Sequence, residues 1–417
     1  MRMKFNRSSQ LVLVSVVSLL AAGLVTACGT LTADFVFVTS AKAAGPNNYG
    51  EVNVFEVNSE SGFMRQIKTS PFPSGGRNPV AEAASADATT LYVINEDDNS
   101  IVQFAIGNDG KLYPQNTLNT PGVFPLAVAV TGSYLYVVDT YQPLPTCSTA
   151  APCSGSVAAY PILSAAQANA LSPSQPADTL GPPVANASVG ANYWPLNLTS
   201  VPTDVVTPTA VTTAASGAYV YVTAFDTTAG RGYVFGFTVN ADGTLAAMTG
   251  SPFAAGTHPS AIAADPSGGY VYVTDLAKAD VLTYSVGSGP LTPVAGSPFP
   301  SGNAPAAIVI DGTGKYAYVA NSQDATLTAY SVSNGVLTFL GSSPTPVAYA
   351  TGTQPVAIGI DPSLNQYLYT ANFLGNNVSG FEVNATNGTL LNSQFSPFSS
   401  NANPTAVAAI PHGAANK

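Results

Sequence analysis

Ser251-Pro-Phe253, a short link, Pro259-Ser-Ala-Ile-Ala-Ala-Asp-Pro-Ser-Gly268, then Tyr270-Val-Tyr-Val-Thr-Asp275, a polar turn and Val281-Leu-Thr-Tyr-Ser-Val286 form one unit of sequence. Aromatic and β-branched residues alternate in it with period two, as strands require. Asp-Pro-Ser-Gly and the Asn/Asp/Gly clusters between the apolar runs are turn chemistry. The unit recurs along the 417-residue chain. Its central strand returns as Phe35-Val-Phe-Val-Thr39, Leu91-Tyr-Val-Ile94, Tyr134-Leu-Tyr-Val-Val138, Tyr219-Val-Tyr-Val222, Tyr316-Ala-Tyr-Val319 and Tyr367-Leu-Tyr-Thr370, seven copies in all. The strand that follows also recurs seven times, each ending on an aromatic: Phe55, Phe104, Tyr160, Phe237, Tyr284, Tyr330 and Phe381.

Units of roughly 45 to 55 residues with four short strands read as propeller blades. The expected fold is therefore all-β, a seven-bladed β-propeller over residues 33–411. An inner strand of the type Pro-x-Ala-Ile-Ala precedes each central strand except the first, at Phe35. Pro404-Thr-Ala-Val-Ala-Ala-Ile410 is an inner strand with no central strand after it. The C-terminus thus supplies what the N-terminal blade lacks, and the ring closes without an exposed edge.

Composition agrees with short strands and many turns. Only 8% of residues are charged and 46% are hydrophobic, too few charges for a coiled coil and too much apolar content for disorder. The formal net charge is −10. Residues 1–27 carry three of the 12 basic residues and no acid, so the remainder stands at 9 − 22 = −13. That balance excludes nucleic acid as a partner. Arg2, Lys4 and Arg7 precede a short apolar run, Leu11 to Val25, which is the pattern of an export signal. Its end, Val25-Thr26-Ala27-Cys28, resembles the lipobox of bacterial lipoproteins. The resemblance implies cleavage before Cys28, a lipid on that cysteine, a tether over 28–32 and membrane contact through the lipid alone. Gly29 in place of Asp implies the outer membrane if the cell is Gram-negative. Cys147 and Cys153, six apart in an exported chain, read as a local disulfide. Zinc would want four ligands, and neither histidine is near.

Tyr272-Val-Thr-Asp275, Tyr318-Val-Ala-Asn321 and Tyr369-Thr-Ala-Asn372 resemble the YVTN family of surface propellers. The wider unit, Asp-Pro-Ser-Gly-x-Tyr-Val-Tyr-Val, is similar to the lactonase-type seven-bladed propellers that include bacterial 6-phosphogluconolactonase. The resemblance spans nearly the whole mature chain. It implies a lactone-opening activity with His, Glu and Arg near the channel mouth.

Aligned repeats expose residues that break the pattern. The fourth inner-strand residue is Val128, Val211, Ile262, Ile308, Ile358 and Val407 in six blades, but Glu82 in the second. A carboxylate there must be paired, solvated by the channel or kept neutral. Arg77, five residues earlier, is a possible partner. His258 sits before an inner-strand proline, in a column that otherwise reads Asn78, Phe124, Thr207, Ala304, Gln354 and Asn403. Glu82, His258 and Arg77 are the catalytic candidates. The long excursions, Ser40 to Gly50, Asp139 to Ser156 and Ala224 to Gly232, fall on the face of the second-to-third-strand turns. The Pro/Ala/Ser/Asn-rich insertion 163–206 is expected to join them there. Tyr49, Tyr141, Trp194, Phe225 and Arg231 are the candidate ligand contacts. A lactone hydrolase and a non-catalytic scaffold binding glycan or protein are the two readings. Asn321-Ser-Gln-Asp324 and Asn372-Phe-Leu-Gly375 depart from the Asn-Arg-Gly-His type of turn, and a phosphorylated sugar would call for more cations. No P-loop, dinucleotide fingerprint, haem motif or metal-ligand cluster occurs, so no cofactor is expected, and closure of the ring suits a monomer.

Overall fold

The computed structural model describes residues 32–143, 147, 153–201, 203–287, 290–341, 347–361 and 364–412. Seven antiparallel sheets form a ring of blades. The inner strands are Pro404–Pro411 for blade 1, then Pro79–Ala84, Val123–Val130, Val206–Ala214, Pro259–Ala264, Pro305–Ile310 and Pro355–Ile360 for blades 2 to 7. Consecutive inner strands touch all the way round, including blade 7 to blade 1 and blade 1 to blade 2. Closure is as the sequence implied. The N-terminal strand Thr32–Ala44 lies between Tyr49–Asn58 and the C-terminal Pro404–Pro411, with Val36 opposite Ala409 and Val38 opposite Val407. The signal segment and Cys28 lie outside the described residues.

Each repeated word has a physical task. The second aromatic of the central strand (Phe37, Tyr92, Tyr136, Tyr221, Tyr272, Tyr318, Tyr369) is fully buried between blades. The serine of Ser-Pro-Phe accepts a hydrogen bond from the third strand: Ser70 from Val54 N–H, Ser251 from Gly236, Ser297 from Thr283 and Ser396 from Gly380, at 2.8 to 3.0 Å. The phenylalanine two residues later returns to pair with that same strand. The outer edge of the blade is thereby satisfied where the fourth strand stops.

Two sequence expectations about the loops change. Ser40 to Gly50 and Ala224 to Gly232 are extensions of strand pairs, closed by short turns at 45–48 and 227–230, rather than irregular excursions. Only the last part of the insertion joins them on the face they share, where Asn197 accepts from Gln142 Nε2 (2.9 Å) and Val205 O from Thr227 N–H (3.1 Å). The insertion leaves the third strand of blade 3 at Pro161, at the level of the inner hairpins, and its 163–180 stretch seals the seam with blade 2. Tyr92 Oη and Gln103 Nε2 both donate to the Asp178 carbonyl (2.8 and 3.1 Å), and Thr89 Oγ1 donates to its carboxylate (2.9 Å). A third-to-fourth-strand connection must start on that face, which is the reason for its position. Cys147 and Cys153 are disulfide-bonded, as expected.

Candidate functional site

The inner strands run from an upper face, which carries the second-to-third-strand turns and the links between blades, to a lower face of tight hairpins. At the upper end, the residue preceding the inner-strand proline takes a left-handed conformation in five blades. These are Asn78 (φ 53°), Phe124 (58°), Ala304 (51°), Gln354 (57°) and Asn403 (58°). That conformation is unfavourable for a bulky side chain and persists only when neighbours enforce it. The links that lead into the inner strands are held by the Asp or Asn that ends the YVTN-like motif. Asp275 accepts from the backbone N–H groups of Thr257, His258 (3.0 Å) and Ala277 (3.0 Å). Asn321 accepts from Gly302 (3.2 Å) and Asp139 from Gly122 (3.2 Å). Phe124 N–H is taken by Asn99 Oδ1 at 2.7 Å. The motif thus braces the links into the inner strands of blades 3, 5 and 6 at the channel mouth, whereas blades 1 and 4 carry Ser40 and Ala224 at this position. The sequence displays the recurring Asp/Asn, but its role emerges only when link and strand end are seen together.

The catalytic trio expected from sequence does not assemble. Arg77 is turned to the surface, where its guanidinium meets Asp98 at 2.6 Å and its N–H donates to the same carboxylate at 2.7 Å. It is therefore not the partner of Glu82. The Glu82 carboxylate is tucked into the seam between blades 1 and 2, where both oxygens are buried and neither has a hydrogen-bond partner. Its equivalents, such as Val407 and Ile262, fill the same inter-blade core. Burial pushes its pKa up to about 8, and the nearby backbone N–H groups of Thr39 and Ala408, which fall short of hydrogen-bond geometry, offset only part of that. Glu82 is consequently neutral at pH 7, the third of the options open to it in the sequence. A neutral acid in that seam is poorly placed to take a proton from channel water.

His258 lies on blade 5, three blades round from Glu82. Its ring stacks on Phe225 of blade 4, with centroids 4.3 Å apart and planes within 9°. Neither ring nitrogen has a hydrogen-bond partner among the described residues. Phe225 faces Gly232 across its hairpin, and a Cβ at Gly232 would stand 2.2 Å from Ala255 O and 2.4 Å from Pro259 Cδ. The hairpin can approach blade 5 only because that position is glycine. Arg231 projects from the opposite side of the hairpin and is exposed. Tyr141 packs edge-on against Phe124 at 6.0 Å, and Tyr49 is half-buried on blade 1. Trp194 is not on the ligand face. It belongs to the fourth strand of blade 3, pairs with Val157 and is 7% exposed in the blade 3–4 core. It closes that edge together with Leu196, which is fully buried in the same core.

A carboxylate that sequence reasoning passed over does stand at the mouth. Glu96, in the second-to-third-strand turn of blade 2, accepts from Asn78 Nδ2 at 2.6 Å, and its backbone N–H donates to Asn78 O. Half-burial, with help from neighbouring Asp97, raises its pKa. The signal was hidden because Glu96 sits in a run of acids, Glu96-Asp97-Asp98, which reads as a solvated turn. The lower face is different in kind. Two cavities of about 610 and 600 Å³ open there, lined by Ala84 to Ala88, Ile358 to Asp361 and Val407 to Pro411 in one, and by turns of blades 3 to 6 in the other. The first is largely apolar, and its Asp87 is occupied by its own turn through Ser85 and Thr89. No cluster of three or more potential metal ligands occurs among the described residues.

Comparison with known proteins gives the fold a family. No curated protein matches the sequence. Among solved structures, a provisionally named 6-phosphogluconolactonase from Bacteroides fragilis superposes with a TM-score of 0.68 at 19% identity, covering 92% of this chain and 99% of that one. The periplasmic gluconolactonase PpgL of Pseudomonas aeruginosa gives 0.66 at 17% identity, covering 90% and 99%. At such identities the likeness is one of fold. The family described as lactonase, 7-bladed beta-propeller, matches residues 47–142 and 183–413; it leaves out the first 46 residues, the last four, and the internal stretch that holds the disulfide and the first part of the insertion. This chain belongs to the lactonase family of seven-bladed β-propellers.

Proposed function

We propose that this protein is an exported, lipid-tethered lactonase-family propeller that opens a small uncharged cyclic ester at the upper channel mouth. The carrying observation is Glu96, a half-buried carboxylate with a raised pKa, fixed on the mouth ring by Asn78. A carboxylate so placed suits a general base. It takes a proton from water as that water attacks the lactone carbonyl carbon. The side-chain amides of Gln354 and Asn403 are donors available to the oxyanion that develops, while that of Asn78 stays on Glu96. The ring C–O bond then breaks, the leaving oxygen takes a proton, and a hydroxy acid departs. His258, across the mouth on blade 5 with free ring nitrogens, supplies that proton or holds the substrate's hydroxyls.

The substrate class follows from the ring. Its members are Asn78, Phe124, Thr207, His258, Ala304, Gln354 and Asn403, with no Lys or Arg, and nearby Arg77 is already committed to Asp98. A phosphate would find no bidentate partner there. A hydroxylated neutral ring, stacking on Phe124 or Tyr141 and hydrogen-bonding to amides, fits better. Export through the N-terminal signal and anchoring through Cys28 belong to the same reading. The test is acid release at constant pH by residues 29–417 on a panel of neutral and phosphorylated lactones. Turnover of neutral lactones above the uncatalysed rate supports it. Preference for phosphorylated ones contradicts the substrate class, and no turnover on any leaves binding of glycan or protein at the same mouth.

A further inference from the structure

The described chain begins at Thr32, on the outer rim of blade 1, where Thr32 stands opposite Asn58 and shares a small cleft with Phe63 and Arg65. Thr32 is only four positions along the chain from Cys28. Fully extended, that stretch reaches roughly 14 Å. A lipid at Cys28 therefore holds this rim, rather than either channel mouth, close to the membrane. No helix among the described residues is long and apolar enough to cross a bilayer, so attachment would rest on the lipid and on whatever the rim adds.

The rim beside Thr32 is unusual for this protein. Phe395 is 74% exposed, Leu391 67% and Phe63 36%. Phe63, in the third-to-fourth-strand turn of blade 1, meets the ring of Phe395 edge-on at 5.8 Å across the seam with blade 7. Phe395 has φ +64°, a conformation that a bulky residue adopts only under constraint, and the constraint turns its ring outward. On the other side of Thr32, Arg65, Lys68 and Lys111 line one cleft between blades 1 and 2. They are three of the eight Lys and Arg among the described residues. Glu56 and Asp109 pair with Arg65 and Lys111, whereas Lys68 has no ion-pair partner among the described residues. With Glu60 in the adjacent turn, this stretch is close to neutral in a chain of net charge −10. An acidic protein held against an anionic leaflet presents its least acidic side. Exposed aromatics beside lysine and arginine are the composition of a membrane–water boundary.

We infer that the rim of blades 7, 1 and 2 is the surface this protein lays on a phospholipid bilayer, with Phe63, Leu391 and Phe395 at the headgroup boundary and Lys68 reaching lipid phosphate. The inference rests on lipidation of Cys28. It turns the lower outer edge of these blades towards the membrane and leaves the upper mouth open to solvent.

The experiment uses the full chain carrying Phe395→Cys, expressed with its signal, labelled with a polarity-sensitive thiol dye and reconstituted into vesicles of phosphatidylethanolamine and phosphatidylglycerol. Leu391→Cys serves as a second rim probe. Leu374→Cys, 60% exposed on the upper turn of blade 7, is the control. Both rim dyes should shift to shorter wavelength and lose emission severalfold when nitroxide-headgroup lipid is included, while the Leu374→Cys dye does neither. Protein that floats with the vesicles but shows no lipid quenching at the rim overturns the docking while leaving the anchor intact. A blue shift without lipid quenching means that protein covers the rim and also overturns it. A full chain that stays in solution removes the lipid anchor and the docking together.

Discussion

Replacing Glu82 by valine, the residue its column carries at Val128, Val211 and Val407, should stabilise the protein in a way that depends on pH. In the folded state the Glu82 carboxyl titrates at about 8, against 4.5 ordinarily, because burial in the blade 1–2 seam disfavours its charge. A raised folded pKa means that stability is fully present below pH 4.5 and is lost as pH climbs to about 8. At about 1.4 kcal/mol per pH unit, the loss is ~5 kcal/mol across that window and ~3 kcal/mol by pH 7. Two unsatisfied oxygens add to the cost. Glu82→Val removes both and keeps the side-chain volume nearly constant. Urea titrations of both proteins at pH 5, 6, 7 and 8 should give a difference that is smallest at pH 5 and grows by several kcal/mol towards pH 8. Burial also lifts Asp34 and Asp139 to about 7, so each protein alone slopes downward with pH, and the difference curve isolates Glu82. A Glu82→Val protein that is less stable than the parent at pH 8, or a flat difference, would refute the assignment of Glu82 to an apolar seam.

Other outcomes follow from the same geometry. Asp275→Ala should cost about 2–3 kcal/mol in denaturant titration, since the N–H groups of Thr257, His258 and Ala277 lose their acceptor, and Asp275→Asn should cost clearly less. Gly232→Ala should destabilise by ~2 kcal/mol or more and displace the Phe225 hairpin, read as a changed NMR signal of the His258 ring. Gln354→Gly should be neutral or stabilising by up to ~1 kcal/mol and Gln354→Val destabilising, because position 354 has φ +57°. Glu96→Gln should lower kcat on a neutral lactone by ~10²-fold or more with KM little changed.

The architecture was open to reading because a propeller writes each structural duty seven times. A buried aromatic in every central strand and an aliphatic at one inner-strand position in six of seven blades become visible once copies are laid side by side. Asp265 and Asp311, read as turn residues, do cap their turns, each accepting a hydrogen bond from the N–H of the following strand's first tyrosine. The site was harder for the opposite reason, since function rests on what differs between blades. Glu82 was conspicuous as an exception to a column, yet its strand position points the carboxylate into a seam rather than into the channel. Arg77 stood near it in sequence, but a nearby carboxylate at Asp98 captured it. Trp194 looked like a surface aromatic because the insertion hid which part of 163–206 was the fourth strand. Glu96 gave no signal beyond its place in an acidic turn, and only its bond to Asn78 sets it apart from Asp97 and Asp98.

The most direct test compares two carboxylates of blade 2 in one assay, acid release from the best neutral lactone by the parent, Glu96→Gln and Glu82→Val. The account predicts that Glu96→Gln loses nearly all turnover while Glu82→Val keeps it and gains stability at neutral pH. Loss of turnover in Glu82→Val with activity retained in Glu96→Gln would contradict it, and would move the chemistry from the upper mouth to the seam between blades 1 and 2.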